Sequence, residues 1–154
     1  MTFSCDEKLP GFAEVNFLLL EETSNWPFVV TDVNSAQIVF SPFANDVEAL
    51  IEPDSINVDV LPKQGADGTI QQIGISFRLI TRSEALEQLL EQYSNRPGVA
   101  IGKLNNDFKK LYGTNMEALY LNYEINDGSK PDGTAFTEVK IKGETRSRPV
   151  YYTP

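Results

Sequence analysis

The segment at residues 70–125 constrains the fold most, because its hydrophobic period changes from that of a strand to that of a helix and back. Apolar and polar residues alternate along residues 73–79, as they do in a half-buried strand. Thr81 and Glu84 then fit a capping box that begins a helix, and Pro97 lies where that helix must end. The core face predicted for the helix consists of residues at helical spacing: Leu86, Leu89, Leu90 and Tyr93.

The rest of the chain predicts β-structure around this single helix. Residues 13–20 have apolar side chains on both faces of a strand, which indicates a strand that is covered on both sides. Residues 62–69 contain two glycines and predict the exposed loop of a long hairpin. Further strands are predicted at residues 26–33, 36–40, 55–61, 73–80, 99–104, 108–112, 119–125 and 136–142.

The expected fold class is therefore mainly β, a β-sandwich or barrel of about eight strands with one flanking amphipathic helix. The chain has 154 residues without an internal repeat or a linker-like stretch, so a single domain is expected over residues 1–154. Residues 1–11 are expected to form an N-terminal arm, either frayed or placed on a neighbouring subunit. Residues 144–154 are expected to form a short aromatic C-terminal tail.

Charge is distributed unevenly along the chain. Residues 1–60 contain eleven acidic residues and one basic residue, whereas residues 61–154 contain eleven acidic and twelve basic residues. The net charge is −9. An acidic half disfavours tight binding to nucleic-acid phosphates and to an anionic membrane surface. Two interpretations stay open: a solvated acidic surface that keeps the protein soluble, or an assembly that concentrates the acidic half on one shared surface.

The residue types that most catalytic sites require are missing or scattered. Histidine is absent and Cys5 is the single cysteine, so no enzyme activity, cofactor or internal disulfide is expected. Residues 127–133 are the best metal candidate, because they offer oxygen ligands for calcium, but Lys130 would repel the ion. A plain hairpin loop is favoured there, and no metal site is expected. The start of the chain lacks a signal-peptide pattern, and the longest apolar run, residues 17–20, is too short to cross a bilayer.

The C-terminal part of the sequence resembles a known pattern. Residues 108–124 read FKKLYGTNMEALYLNYE, and residues 127–133 read DGSKPDG before a closing strand and Gly143. This order resembles small virion proteins of tailed bacteriophages, in which a similar tyrosine-rich strand precedes a glycine-rich loop; Ala118 stands where those proteins often have glycine. The opening residues 5–12, CDEKLPGF, also resemble the start of such proteins.

The strand–helix–strand order around residues 81–95 is similar to the tube fold of phage tail-tube, baseplate-hub and type VI secretion tube proteins. The resemblance implies a structural role in the virion tail: a homo-oligomeric ring, expected to be a hexamer, through which DNA passes. It implies self-contacts and contacts with other tail proteins, with assembly in the host cytoplasm. Self-assembly is then assigned to the hairpin tip, and the acidic first 60 residues are expected to face the channel. The assigned residues are Lys63, Gln64, Gly65, Asp67 and Gly68.

Two alternatives to a tail ring or tube remain. One is a monomeric β-sandwich module that binds carbohydrate or protein. The other is a head–tail junction protein, which would be part of the virion without forming the tube.

Overall fold

The computed structural model describes residues 2–4, 12–40, 49–52, 55–66, 68–80, 83–104, 108–126 and 136–152. Over these residues the chain is mainly β with one α-helix, which confirms the fold class predicted from the sequence. The elements are β1 (Thr2–Ser4), β2 (Phe12–Leu19), β3 (Thr23–Ser24), β4 (Val39–Phe40), β5 (Ala49–Leu50), β6 (Asn57–Gly65), β7 (Gly68–Leu79), α1 (Glu84–Tyr93), β8 (Pro97–Leu104), β9 (Lys109–Tyr112), β10 (Leu119–Asn126), β11 (Phe136–Thr145) and β12 (Val150–Tyr152).

Eight of the strands form one curled sheet that encloses half of a barrel. Its strand order is β5-β1-β2-β8-β10-β11-β7-β6, and the β1–β5 pair is parallel while the other neighbours are antiparallel. At one end β7 extends past the start of β6, and there Ile51, next to β5, bridges Leu79 of β7. The Glu52 N–H donates to the Arg78 carbonyl at 2.8 Å beside this bridge. The curl gives the sheet a concave face, which holds the main core.

A side branch leaves the sheet at β8. Gly98 pairs with Leu119 of β10, whereas the residues from Ala100 onward pair with β9, and β9 pairs in turn with β12. Strand β2 approaches β8 closely at this fork, since a Cβ atom on Gly98 would lie 2.4 Å from the Leu18 carbonyl oxygen. Any side chain at position 98 would therefore push the two strands apart.

The concave face holds the larger hydrophobic cluster, which we name the inner cluster. It forms because the period-2 residues of the strands and the apolar face of α1 point to the same side. Tyr93 packs against it, half-buried. The buried members are Phe3, Val15, Phe17, Leu19, Ile51, Ile73, Ile75, Phe77, Leu79, Leu86, Leu89, Leu90, Ala100, Tyr112, Leu119, Leu121, Val139 and Ile141.

Helix α1 begins at a different cap from the one the sequence suggested. Ser83 is the N-cap, and its Oγ accepts a hydrogen bond from the Leu86 N–H at 3.1 Å. The cap prediction at Thr81 is wrong, because Glu84 is the first helical residue and so cannot be the third residue of a capping box. Thr81 itself lies outside the described residues.

The convex side of β2, β8, β9 and β12 carries a second, outer cluster. Residues 25–38, which we name the cover segment, lie over it, and Trp26 and Val30 pack against its buried members. Strand β2 is thus covered on both faces, as predicted, with Phe17 in the inner cluster and Leu18 in the outer one. The buried members are Leu18, Ile38, Val99, Ile101, Leu111 and Val150.

The cover segment corrects two strand predictions. Residues 26–33 form no strand, and of residues 36–40 only Val39–Phe40 is one. The Thr31 N–H donates to Asn34 Oδ1 at 2.6 Å, and Asn34 Nδ2 donates to the Val29 carbonyl at 2.7 Å. Side chains of this kind give the backbone hydrogen-bond partners that replace those of a sheet ladder.

Both predicted tails belong in part to the sheet. Thr2–Ser4 pairs with β2, and the ring of the buried Phe3 lies 4.7 Å from that of Phe77, so the arm prediction is wrong for these residues. Residues 5–11 lie outside the described residues. The tail prediction at residues 144–154 is also wrong for its described strands, because β11 continues to Thr145 and β12 pairs with β9. Apolar side chains at both ends fill the two clusters.

Candidate functional site

Strands β6 and β7 form the predicted long hairpin, but its loop is much shorter than predicted. Residues 62–69 were expected to be loop, whereas strand pairing continues to Gly65 opposite Gly68 and leaves residues 66 and 67 between them. Gly68 has a φ of 119°, a left-handed conformation that glycine adopts without strain. Pro62 fits within a strand because β6 lies at the edge of the sheet.

The end of this hairpin extends beyond the sheet. Strand β11 accompanies β7 only as far as Thr145, which lies opposite Gln71. From there to the tip, residues 63–65 and 68–70 pair only with each other. Three residues of strand correspond to roughly 10 Å. The hairpin tip, defined here as residues 63–66 and 68–70, is therefore a two-stranded projection with exposed residues on both faces.

The structure places four of the five predicted self-assembly residues on this projection. Lys63, Gln64 and Gly68 are exposed, and Gly65 is half-buried beneath Ile70. A Cβ atom on Gly65 would lie 2.9 Å from Ile70 Cδ1, so glycine allows that contact. Asp67 lies outside the described residues.

The free edge of β6 can be located from the hydrogen bonds of its partner strand. The Arg78 N–H donates to Ser55 Oγ at 3.1 Å and its carbonyl accepts from Glu52, so the even-numbered residues of β7 direct their backbone groups toward β6. The odd-numbered residues of β6 therefore direct their backbone N–H and C=O groups toward β7. The even-numbered residues direct these groups to the opposite, outer edge; they are Val58, Val60, Pro62 and Gln64. Proline has no backbone N–H, and at this outward position its absence removes no hydrogen bond to β7.

The edge at β12 is closed by side chains, whereas none of the described residues pairs with the outer edge of β6. The Tyr151 N–H donates to Asp32 Oδ1 at 2.9 Å, and the Tyr151 carbonyl accepts from Ser35 Oγ at 2.9 Å. Arg148 donates to Asp32 Oδ2 at 2.8 Å, and this guanidinium is the main cause that lowers the pKa of Asp32, followed by the Tyr151 bond. Burial raises the pKa of Tyr152 on the same strand. An additional strand cannot pair at Tyr151 while the cover segment is in place.

The outer face of the hairpin and of β11 carries a shallow groove of about 530 Å³. Gly74 forms its floor, with Lys142 beside it on β11 and Asp59 beside it on β6. In the next row, Gln72 Nε2 donates to Glu144 Oε1 at 3.2 Å. No local sequence pattern encodes this groove, because the register between strands decides which residues meet. Farther along the same face, Glu124 lies opposite another acid, Glu138.

The acidic residues of the first 60 are divided among several contacts. Glu21 Oε1 accepts from Arg96 at 2.6 Å, and Glu22 Oε2 accepts from the Tyr93 hydroxyl at 3.1 Å. Asp32 binds Arg148 on the opposite side of the sheet. The two arginines come from residues 61–154, so the charge asymmetry along the sequence is partly balanced within the folded chain.

Comparison of the chain with family models, with characterised proteins and with solved structures found no match. Within the described part of the chain, no three Asp, Glu or Cys side chains are placed to hold a metal ion. Residues 127–133, the calcium candidate, lie outside that part. No helix among the described residues is long and apolar enough to cross a membrane. The candidate functional surfaces are therefore the hairpin tip with its open edge and the groove around Gly74.

Proposed function

We propose that this chain is a self-assembling structural subunit that forms a ring or tube through the β6–β7 hairpin. The hairpin tip is the observation that carries the proposal. A two-stranded hairpin is only marginally stable in water by itself, and ordering its residues costs conformational entropy. Lys63 and Gln64 are exposed on this projection, and Leu61 at its base is 60% exposed. A surface of a second copy that covers the tip would supply the burial that the single chain lacks.

The contact we propose is heterologous, with the tip of one copy against a different surface of the next. Repetition of such a contact closes into a ring when the rotation between copies allows it. Two edges support this choice, because side chains close the edge at β12 at Tyr151, whereas no described residue pairs with the outer edge of β6. Assembly by the hairpin side leaves the cover segment in place.

The role we propose for the ring is that of a structural virion protein of a phage tail. The sequence resemblance at residues 108–133 and the order of strand, helix and protruding hairpin support it. The net charge of −9 is compatible with a conduit that does not retain DNA, because acidic residues repel phosphates. The partners would be further copies, expected to form a hexamer, and other tail proteins.

Shortening the hairpin tests the proposal. Replacing residues 64–69 by Asn-Gly keeps Lys63 opposite Ile70 and so preserves the register, whereas replacing residues 64–68 alone would shift the pairing by one residue. We expect the variant to keep the circular dichroism of the parent, because hairpin tips tolerate change. We expect its mass by light scattering to fall from that of a ring to that of a monomer.

A matched control keeps the hairpin at full length and all five assigned residues in place, and replaces only Ala66 by Asn. This control should assemble like the parent, because a single change at a hairpin tip is tolerated and the projecting residues remain. The proposal is wrong if the shortened chain assembles as well as the parent. If the parent is monomeric at high concentration, the monomeric binding module becomes the better proposal. If an antibody to this chain labels assembled particles at the neck and not along the tube, a head–tail junction protein becomes the better proposal.

A further inference from the structure

The backbone conformation and the surroundings of Gly74 do not require glycine. Its φ is not in the left-handed region, where the described glycines are Gly68 and Gly113. A Cβ atom on Gly74 would meet no atom within 4 Å, whereas one on Gly143 in the adjacent strand would lie 2.4 Å from Leu119 Cδ2. Glycine weakens a strand interior, and in such a position it often marks the close approach of a ligand or of another backbone.

The groove above Gly74 has a defined set of hydrogen-bonding groups. Lys142 provides an ammonium donor, Asp59 and Glu144 provide carboxylate acceptors, and Gln72 provides an amide. Two of these groups are held by their neighbours: Glu144 accepts from Gln72 at 3.2 Å, and Asp59 accepts from Asn57 Nδ2 at 3.2 Å. Preorganised groups lose less conformational entropy when a ligand binds.

We propose that this groove binds a neutral, hydroxyl-rich ligand, an oligosaccharide. Hydroxyl groups both donate and accept, so they can bind the carboxylates, the amide and the ammonium of the groove together. Tyr120 lies beside Lys142 on the next strand and is 45% exposed, which leaves its ring available to pack on a sugar face. The proposal does not depend on ring formation, because every residue of the groove belongs to one chain.

Charge and composition argue against the other occupants. Asp59 and Glu144 outnumber the single Lys142, so the groove disfavours phosphates and other anions. Lys, Asp and Glu are depleted in the cores of protein–protein interfaces, where aromatic residues, Met and Arg are enriched. A protein partner on this face would have to desolvate three charged groups that have no cross-groove ion pair among the described contacts.

The test fills the groove without straining the strand. Gly74→Leu adds a side chain where the structure has open space, so the melting temperature should stay the same or rise. Ser76→Leu is the matched control, because Ser76 lies two residues along the same strand and face, between Lys140 and Asn57. The probes are maltohexaose, cellohexaose and chitohexaose, with inorganic phosphate as the anionic comparison, measured by calorimetry on the full chain.

We expect at least one of the three oligosaccharides to bind the parent with a roughly millimolar or lower Kd. Gly74→Leu should weaken that binding by about tenfold or more, and Ser76→Leu by less than about twofold. Phosphate should not compete. The proposal is overturned if none of the three sugars binds the parent, if Gly74→Leu binds as the parent does, or if Gly74→Leu unfolds. It is also overturned if Gly74→Leu blocks only the association of copies, a result that would leave the assembly proposal intact.

Discussion

The two hydrophobic clusters lie on opposite sides of the same sheet, and they are built in different ways. The inner cluster is enclosed by regular elements, and it includes three buried leucines of α1. The outer cluster is covered by the irregular cover segment, which depends on side-chain hydrogen bonds at Asp32, Asn34 and Ser35. Periodic burial therefore stabilises one side of the sheet, and local polar contacts position the cover on the other.

This difference predicts that a charge in the inner cluster has the largest effect. Leu90 is fully buried on the helix face, and Leu90→Asp would place a carboxylate there without a partner. We expect a loss of stability on the order of 4 kcal/mol or more and loss of the soluble folded protein. Gln88→Asp, on the exposed side of the same helix, should change stability by less than about 1 kcal/mol. Equal melting temperatures for Leu90→Asp and the parent would show that α1 does not close the core.

A cavity in the outer cluster should have a smaller and more local effect. Ile38 is 2% exposed and belongs to the cover segment. Ile38→Ala should lower the free energy of unfolding of the outer cluster by about 2–4 kcal/mol, because the substitution removes buried methyl groups and leaves a cavity. Hydrogen exchange should become faster in β9 and β12 while β7, β10 and β11 keep the protection of the parent. Equal acceleration in both groups of strands would mean that the two clusters unfold as one unit.

The same contrast explains how much of the fold the sequence could predict. The strand at residues 73–79 and the helix could be predicted because their apolar residues recur with the period of a strand and of a helix. The apolar side chains of both elements belong to the inner cluster. The cover segment is also rich in apolar residues, which favoured strands, yet Phe28 is 99% and Val33 is 90% exposed. Its path depends on Thr31, Asn34 and on contacts with a strand more than 100 residues away, and no local pattern encodes that.

The candidate sites show a similar limit. The hairpin was predictable because two alternating runs flank a short glycine-containing stretch. The groove was not, because Asp59, Gly74 and Lys142 are brought together only by the register of three strands. The N-terminal charge excess likewise did not reveal that Glu21 and Asp32 form ion pairs with Arg96 and Arg148. Composition indicates how much charge is present and not which groups meet.

The smallest expected effect concerns the polar contacts of the cover segment. The Arg148 guanidinium, with the Tyr151 N–H, holds the pKa of Asp32 below its ordinary value of 3.8. A carboxyl group whose pKa is lower in the folded state stabilises that state fully above the unfolded pKa, and this contribution is lost as the pH falls through the folded pKa. Attachment of the cover segment should therefore be independent of pH above about 5 and weaken below about 4.

Trp26 reports this change directly, because it is the single tryptophan of the chain and packs against the outer cluster. Its fluorescence should shift toward that of exposed tryptophan as the pH falls, before the circular dichroism of the sheet changes. Asp32→Asn should remove most of that pH dependence and weaken attachment at neutral pH, while Asp59→Asn, on the groove side of the sheet, should leave the profile unchanged. Added salt should reduce the difference between Asp32→Asn and the parent, since the ion pair is exposed. A profile that is the same for Asp32→Asn and the parent would show that burial at Ile38, and not the polar contacts, positions the cover.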